Sequence, residues 1–265
     1  MKNTPTTGAM DLPQIPRLWD LLNLQSNISS DAEEAWKEKV RFLDEVSQQN
    51  NVVIFVLNPF NNQYLYMSDR LRVLSGLEAS SYTAENGFEF GFSRANPAQL
   101  DGLLKFHHIV ADCYANNDPE YCKNIVLCLS FLYRNGNDEY VQVLQRTMIL
   151  ETDEAGRPAL FISFGHYVGH IKKPGSIDFV ISAPNGITIY GYDPDLKCVT
   201  EPKTFSEHEK KIVTLLAQGD DTKTIAEKLF ISPHTVDTHR RNLIKKTNCI
   251  DTTGVVAFAR LINLI

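Results

Sequence analysis

The strongest constraint on this chain's fold is a short basic segment near its C-terminus, SPHTVDTHRRNLIKK at residues 232–246. Ser232 is a favourable N-cap, and Pro233 suits the first helical position because its missing N–H would have no partner there. The predicted helix carries four arginines and lysines against one acid, Asp237. In a chain with a net charge of −6, a capped basic helix predicts a surface that binds a polyanion.

The flanking residues predict three more helices. Ser206 and Glu209 form a capping box, followed by apolar residues at helical spacing. A second helix, at residues 223–230, is separated from the basic helix by a short turn. Two helices joined in this way, the second of them basic, are typical of a helix-turn-helix. A fourth helix begins near Thr252. It carries an apolar stripe of Val255, Phe258, Ala259 and Ile262.

Residues 204–265 resemble the LuxR-type helix-turn-helix domain of bacterial transcription regulators. The resemblance rests on landmarks that occur in the family's order: Glu209, Leu215, Leu216, Ala217, Gln218, Gly219, Ile225, Ala226, Leu229, Ile231, Ser232, Thr235, Val236, His239 and Asn242. It implies a DNA-binding regulator whose basic helix lies in the major groove. The chain departs from the family at Asp237, where the family usually has lysine.

The resemblance assigns DNA contacts by position. Thr238 and Arg241 are expected to face base edges. Asp237 is a candidate base contact because a carboxylate can accept a hydrogen bond from the cytosine amine; the alternative is that it orients neighbouring arginines. Phosphate contacts are expected from Thr222, Lys223, Thr235, His239, Arg240, Lys245 and Lys246.

Charge is segregated along the chain. Residues 204–265 contain nine basic and seven acidic residues, a net charge of +2, whereas the remainder has a net charge of −8. One domain with so small a positive charge is expected to bind DNA weakly, and a homodimer that reads two half-sites would compensate. The resemblance implies that the apolar stripe of the fourth helix forms the dimer contact. The alternative is that the stripe closes the domain's core. Contact with RNA polymerase is a further expectation.

Residues 50–172 predict a second type of domain. Two strands, at residues 52–57 and 64–67, are followed by helical patterns. Three more strands, at residues 125–133, 140–151 and 159–168, are separated by turn sequences. Two strands, short helices and three antiparallel strands resemble a PAS domain. The resemblance implies a module that senses a signal or dimerises, with any ligand between the sheet and the helices.

The predicted fold class is therefore α+β: a PAS-like antiparallel sheet with flanking helices, followed by an all-α, four-helix LuxR-type domain. The predicted segments are an N-terminal helical segment (1–49), the PAS-like sensor domain (50–172), a structured connector predicted to be a β-hairpin (173–203) and the DNA-binding domain (204–265). The turn of the connector's predicted hairpin is expected at Asn185 and Gly186, where positive φ is favoured.

The ligand of the PAS-like domain is not identified by the sequence. His107 lies on the inner face of a predicted helix and is a candidate haem ligand, but a partly buried histidine bonded to the backbone is the favoured interpretation. Aromatic residues are candidates to line a pocket for an aromatic or apolar small molecule, with core packing as the alternative: Tyr64, Tyr66, Phe90 and Phe92. We predict no cofactor and no metal.

Length and composition bound the remaining possibilities. A chain of 265 residues with 43% hydrophobic content can form two domains. Because no apolar run approaches the ~18 residues that span a bilayer, and the N-terminus lacks a signal peptide's apolar core, we expect a soluble, cytoplasmic protein. Catalytic motifs are absent from the sequence, so we predict no enzyme. The predicted function is a DNA-binding transcriptional regulator. The alternative is a protein-interaction or ligand-binding PAS module whose helix-turn-helix does not read specific DNA.

Overall fold

The computed structural model describes residues 42–265 of the chain. Most of the predicted N-terminal helical segment, residues 1–49, therefore lies outside the described residues. The first described helix, α1 (Leu43–Asn50), ends at Asn51 in the left-handed conformation. Ser47 of α1 is fully buried and donates a hydrogen bond to the carbonyl oxygen of Val52 at 2.6 Å, which fixes this helix to the first strand.

One large antiparallel sheet precedes the basic helix. Its strands are β1 (Val53–Asn58), β2 (Gln63–Met67), β3 (Val126–Arg134), β4 (Tyr140–Thr152), β5 (Pro158–Tyr167), β6 (Asp178–Ala183), β7 (Gly186–Asp193), β8 (Cys198–Val199) and β9 (Lys203–Thr204). Their order in the sheet is β2-β1-β5-β4-β3-β6-β7-β8, and β9 also pairs with β7.

Short helices cover one face of this sheet. Between β2 and β3 lie α2 (Arg70–Ser75), α3 (Ser80–Thr83), α4 (Gly87–Ser93), α5 (Leu100–Ala115) and α6 (Pro119–Lys123). Phe106 of α5 is buried, and its ring stacks on that of Phe179 in β6 with 5.0 Å between ring centroids. The strand order β2-β1-β5-β4-β3 with helices on one face is the PAS arrangement, as predicted.

The residues predicted as a connector extend the sheet. Strands β6 and β7 form a hairpin in which Ala183 is paired with Gly186, so the loop contains only Pro184 and Asn185. Gly186 has a φ of 137°, which a side chain would disfavour. Because β6 also pairs with β3, the sheet continues without a break from strands β1–β5 into the hairpin.

The rest of the chain is α-helical. It contains α7 (Glu207–Ala217), α8 (Thr222–Leu229), α9 (Pro233–Thr247) and α10 (Thr252–Leu261). The capping box predicted at Ser206 and Glu209 is confirmed, with both reciprocal hydrogen bonds present. All four helices begin at a side chain that accepts a hydrogen bond from a first-turn backbone N–H: Ser206, Asp221, Ser232 and Asp251. The predicted fold class is therefore confirmed.

The helical domain packs on the sheet face opposite α5. Side chains alternate along a strand, so Leu127 of β3 lies in the core beneath α5, whereas Cys128 packs with Phe258 and other residues of the helical domain. Ser182 of β6 donates a hydrogen bond to the carbonyl oxygen of Ile262 at 2.6 Å. The sheet thus has helices α2–α6 on one face and the helical domain on the other.

A buried ion pair lies where these two parts meet. The Lys172 ammonium is 2.6 Å from the Asp178 carboxylate, and the two side chains are 0% and 2% exposed. Lys172 also donates to the carbonyl oxygen of Thr247 and lies 4.1 Å from the centroid of the Phe258 ring. The Asn248 amide donates to the other Asp178 oxygen at 2.7 Å. These contacts fix the C-terminal end of α9 to the sheet.

Candidate nucleic-acid interface and sensor cavity

Helix α9, the predicted DNA-reading helix, begins and ends at well-defined residues. The Ser232 hydroxyl accepts a hydrogen bond from the Thr235 backbone N–H at 3.0 Å, and Pro233 occupies the first turn, so the predicted cap is confirmed. The helix ends at Asn248, whose φ of 51° is left-handed, a conformation that asparagine tolerates better than most residues. Local sequence therefore determines both ends.

The two faces of α9 differ in burial. Val236 and Leu243 are completely buried in the core of the helical domain. Asp237, Arg241 and Lys245 are exposed, and their spacing of four residues places them in one row along the helix. The apolar face of α9 thus packs in the domain core, and the polar row faces outward.

Arg241 and Thr238, the predicted base-contacting pair, are in contact. An Arg241 guanidinium nitrogen donates to the Thr238 hydroxyl at 3.1 Å, and that hydroxyl donates to the carbonyl oxygen of His234 at 2.9 Å. Asn242, which served in the sequence only as a landmark, is also exposed. An asparagine amide can form two hydrogen bonds with adenine. The sequence could have indicated Asn242 as a base contact, because it lies one helical turn after Thr238.

Asp237 belongs to a hydrogen-bonded group that joins three helices. The Thr222 hydroxyl of α8 donates to the Asp237 carboxylate at 3.2 Å and accepts from the Arg240 guanidinium at 2.6 Å. Arg240 also donates to the Thr252 hydroxyl of α10 at 3.2 Å. Asp237 thus acts on Arg240 through Thr222, which favours the orienting alternative over direct base contact.

Several residues predicted to contact phosphate already have partners within the domain. The Lys246 ammonium lies 2.6 Å from the Glu209 carboxylate and donates to the carbonyl oxygen of Thr204. Burial opposes ionisation of Glu209, but Lys246 and Ser206 outweigh it, and the pKa of Glu209 falls below its ordinary value. The His239 ring stacks on that of His208 at 6.4 Å.

Two of the predicted phosphate contacts, Lys223 and Lys245, are exposed at the surface. Thr235 is half-buried, and its hydroxyl lies 2.8 Å from that of Ser232 within the cap of α9. The structure therefore divides the predicted set into exposed cations and residues tied into the domain.

The apolar stripe of α10 is covered within the chain. Its four side chains are at most 1% exposed: Val255, Phe258, Ala259 and Ile262. They join the core of the helical domain and its packing against the sheet. Dimerisation through this stripe remains a prediction, and in the arrangement described here α10 would have to leave the sheet.

A cavity of about 220 Å³ lies between the sheet and helices α2–α5. Tyr64 and Phe92 line it, as expected of candidate pocket residues. Tyr66 instead donates a hydrogen bond to Asp44 at 2.7 Å, and Phe90 packs edge-to-face on Tyr82. Neither side chain is among those that line the cavity.

His107 lines the same cavity. Its Nδ1 is 2.9 Å from the carbonyl oxygen of Leu103, so the favoured interpretation of a partly buried histidine bonded to the backbone is confirmed. Burial lowers the pKa of His107, which keeps the ring neutral at physiological pH.

Across residues 42–265, no helix has the length and apolar character needed to cross a membrane. The same part of the chain contains no group of three or more histidine, cysteine, aspartate or glutamate side chains arranged to hold a metal ion.

A capped, basic, exposed helix packed on a small helical core defines a helix-turn-helix domain of the DNA-binding class. Residues 203–259 match the family profile described as bacterial regulatory proteins, luxR family. The C-terminal part of this chain is thus a LuxR-family domain.

Relatives match only a minor part of the chain. A transcriptional regulator of Pseudomonas aeruginosa is 31% identical over 91 residues, which are 34% of this chain and 42% of that protein. The regulatory protein SdiA of Escherichia coli is 37% identical over 67 residues, 25% of this chain and 28% of SdiA. The chain thus matches less than half the length of these relatives.

Solved structures resemble the chain only loosely. VqmA of Vibrio cholerae, a LuxR-type receptor, is 13% identical, and the similarity covers 84% of this chain and 86% of that one with a TM-score of 0.31. The N-terminal domain of a diguanylate cyclase with a PAS/PAC sensor from Marinobacter aquaeolei is 14% identical. It covers 44% of this chain and 95% of its own, with a TM-score of 0.36.

Proposed function

We propose that this chain is a transcriptional regulator that places α9 in the major groove of double-stranded DNA. The observation that carries the proposal is that the basic Arg241 and Lys245 are exposed on α9 while Val236 and Leu243 of the same helix are buried. Such a helix presents polar groups to base edges while its apolar face holds it on the domain. The PAS-like domain then senses a signal or dimerises, and no catalytic step is involved.

Base and phosphate contacts follow from exposure. Arg241 and Thr238 read base edges, with Asn242 as an additional reader. Lys223 and Lys245 are the principal phosphate contacts because both are exposed at the surface. Secondary phosphate contacts come from Thr222, Thr235, His239, Arg240 and Lys246, whose present partners are hydroxyl, carbonyl, ring or carboxylate groups of the same domain.

The working form is a homodimer that acts in the cytoplasm and contacts RNA polymerase at its promoters. A single helical domain with a net charge of +2 neutralises few phosphates, so its affinity is expected to be low. Two copies that read two half-sites, one helical turn of DNA apart or a multiple of it, supply the missing affinity.

Selection of bound sequences from a random DNA pool tests the proposal. The full chain is expected to enrich one motif, and this motif should be an inverted repeat because a two-fold dimer presents two identical helices. Affinity for that motif should decrease steeply as salt increases, with a slope that counts the phosphates neutralised.

The alternative is a protein-interaction module that keeps the helix-turn-helix shape without reading DNA. Asp237 in the exposed row and the low charge of the domain favour it. An unenriched pool after selection, with a flat salt dependence of residual binding, would support this alternative and contradict the proposed function.

A further inference from the structure

The cavity between the sheet and the sensor helices has two adjoining chambers. They measure about 220 Å³ and about 130 Å³. Leu57, Phe88, His107, Leu129 and Gln145 line both, so a single molecule can contact both chambers. An engineered protein cavity of about 150 Å³ is sufficient to bind benzene. The larger chamber therefore has room for one ring with substituents, or for two fused rings.

The walls of the larger chamber are unusually aromatic. The Tyr64 ring meets Phe55 edge-on at 5.5 Å and Tyr82 edge-on at 5.8 Å between ring centroids. Phe88 and Phe92 stack at 6.4 Å on the same side of the cavity. Offset stacking and edge-to-face contact both favour a planar ring among such side chains.

The lining carries no full charge. Among residues 42–265, the side chains around both chambers include no aspartate, glutamate, lysine or arginine. A carboxylate, phosphate or ammonium group that entered would lose its hydration without gaining a counter-ion, which is strongly unfavourable. The lining therefore favours an uncharged occupant over a charged one.

Tyr82 and His107 are two of the polar side chains that line the larger chamber. The Tyr82 side chain is 3% exposed, and its hydroxyl has no hydrogen-bond partner within the described part of the chain. A buried hydroxyl without a partner is unfavourable unless a ligand or water supplies one. Because a carbonyl oxygen can only accept, the contact of His107 with Leu103 places the proton on Nδ1, and Nε2 of the neutral ring remains an acceptor.

We propose that this cavity binds an uncharged, planar compound of one or two rings whose polar substituent hydrogen-bonds the Tyr82 hydroxyl, with His107 as a second polar contact. The proposal rests on the sensor role within the proposed function, but it does not depend on DNA reading.

Four probes of one ring size test this class on the full chain. Benzamide and benzoate differ in charge, and phenol and toluene differ in the hydroxyl. Ligand-observed NMR titration should give benzamide at least tenfold tighter binding than benzoate, because only benzoate loses hydration of a charge. Phenol should bind about three- to tenfold tighter than toluene, the effect of one hydrogen bond.

A pair of variants assigns the polar contact. Tyr82→Phe should reduce phenol binding to the level of toluene and leave toluene unchanged. Tyr114→Phe is the matched control, because the Tyr114 hydroxyl is also buried without a partner among the described residues but does not line either chamber. Both variants remove a similar buried group, so both should unfold at similar temperatures.

A third variant, Val143→Trp, fills the larger chamber and should abolish binding of benzamide, phenol and toluene. If the tryptophan variant does not fold, Leu129→Phe takes its place.

The proposal is overturned by equal binding of benzoate and benzamide, by unchanged phenol binding in Tyr82→Phe, or by no probe binding to the wild-type chain. A charged molecule extracted from the purified protein would overturn it too. DNA selection is a separate measurement, so selective DNA binding without probe binding contradicts only this proposal.

Discussion

At the scale of single residues, Arg241 and Lys245 separate base reading from phosphate binding. Both are exposed on one face of α9. Arg241→Ala should remove ~1–3 kcal/mol of discrimination at one base pair, because a guanidinium donates two hydrogen bonds to guanine. Lys245→Ala should weaken binding to all sequences alike and reduce the salt slope by about 1. Binding isotherms on single-base variants of the selected site measure both effects.

These two variants control for one another, since each removes one positive charge from the same helix face. If both lose affinity without a change in sequence preference, Arg241 is a phosphate contact and the base-reading role is refuted.

At Asp237 a positive charge can be added to α9 instead of removed. Asp237→Lys removes the acceptor of the Thr222 hydrogen bond and adds a positive charge to the exposed row. Affinity for all sequences should rise and the salt slope should steepen by about 0.9 per added phosphate contact. Glu120→Lys makes the same charge change on the sensor domain, at an exposed position, and should not steepen the slope. Loss of preference for cytosine at one position would instead show that Asp237 reads a base.

For single residues, the sequence predicts contacts between residues that are close together in the chain. The cap at Ser232 spans three residues, so its pattern is visible in the chain. Lys246 was predicted as a phosphate contact, but its carboxylate partner Glu209 is 37 residues away, and no local pattern indicates such a pair. Arg240 and Thr222 are likewise 18 residues apart and meet only because α8 and α9 pack together.

At the scale of elements, the cap of α9 links helix stability to DNA binding. Ser232→Ala removes the acceptor for the Thr235 N–H and should cost ~1 kcal/mol of unfolding free energy. Fraying of the first turn should also weaken DNA binding, because Asp237 and Thr238 lie just beyond it. Urea unfolding and binding to the selected site measure the two losses. Ser232→Asn keeps a capping side chain and should retain both properties; equal losses in the two variants would contradict the capping argument.

The sequence predicts the bounds of helices and strands closely where apolar residues recur at a regular spacing. The second helix was expected at residues 223–230 and is found at Thr222–Leu229, and the strand expected at residues 125–133 is Val126–Arg134. The helices Ser80–Thr83 and Gly87–Ser93 were not predicted. They are too short for a 3.6-residue period to appear, and aromatic contacts such as Tyr82 with Phe90 hold them in place instead.

At the scale of the whole molecule, the sheet is the shared wall between cavity and DNA-binding domain. In β3, Leu129 lines the cavity while the neighbouring Cys128 packs against the helical domain. The chain order predicted two domains joined by a connector, but periodicity cannot show that both pack on opposite faces of one sheet. That arrangement depends on contacts between residues far apart in sequence, such as Ser182 with Ile262.

The buried Lys172–Asp178 pair lies beside this boundary, on the sheet side, and it predicts a defined pattern of stability. Lys172→Met or Asp178→Asn alone leaves one buried charge without its counter-ion, and each should cost about 3–5 kcal/mol of unfolding free energy. The double variant has no buried charge to compensate and should be more stable than either single variant, with a coupling energy of about 0.5–3 kcal/mol. Urea unfolding followed by far-ultraviolet circular dichroism measures all four chains.

The single variants should also separate the two parts of the molecule. Because Lys172 holds the Thr247 carbonyl oxygen and Asp178 holds Asn248, losing the pair releases the C-terminal end of α9 from the sheet. Limited proteolysis should then cut Asp178→Asn between residues 193 and 206 faster than the wild-type chain, while the double variant is cut at an intermediate rate. The exposed pair of Lys210 and Glu207 is the control, since Lys210→Met should change neither stability nor cleavage appreciably. If the losses of unfolding free energy simply add in the double variant, and the single variants are cleaved at the wild-type rate, the pair does not hold the two parts together.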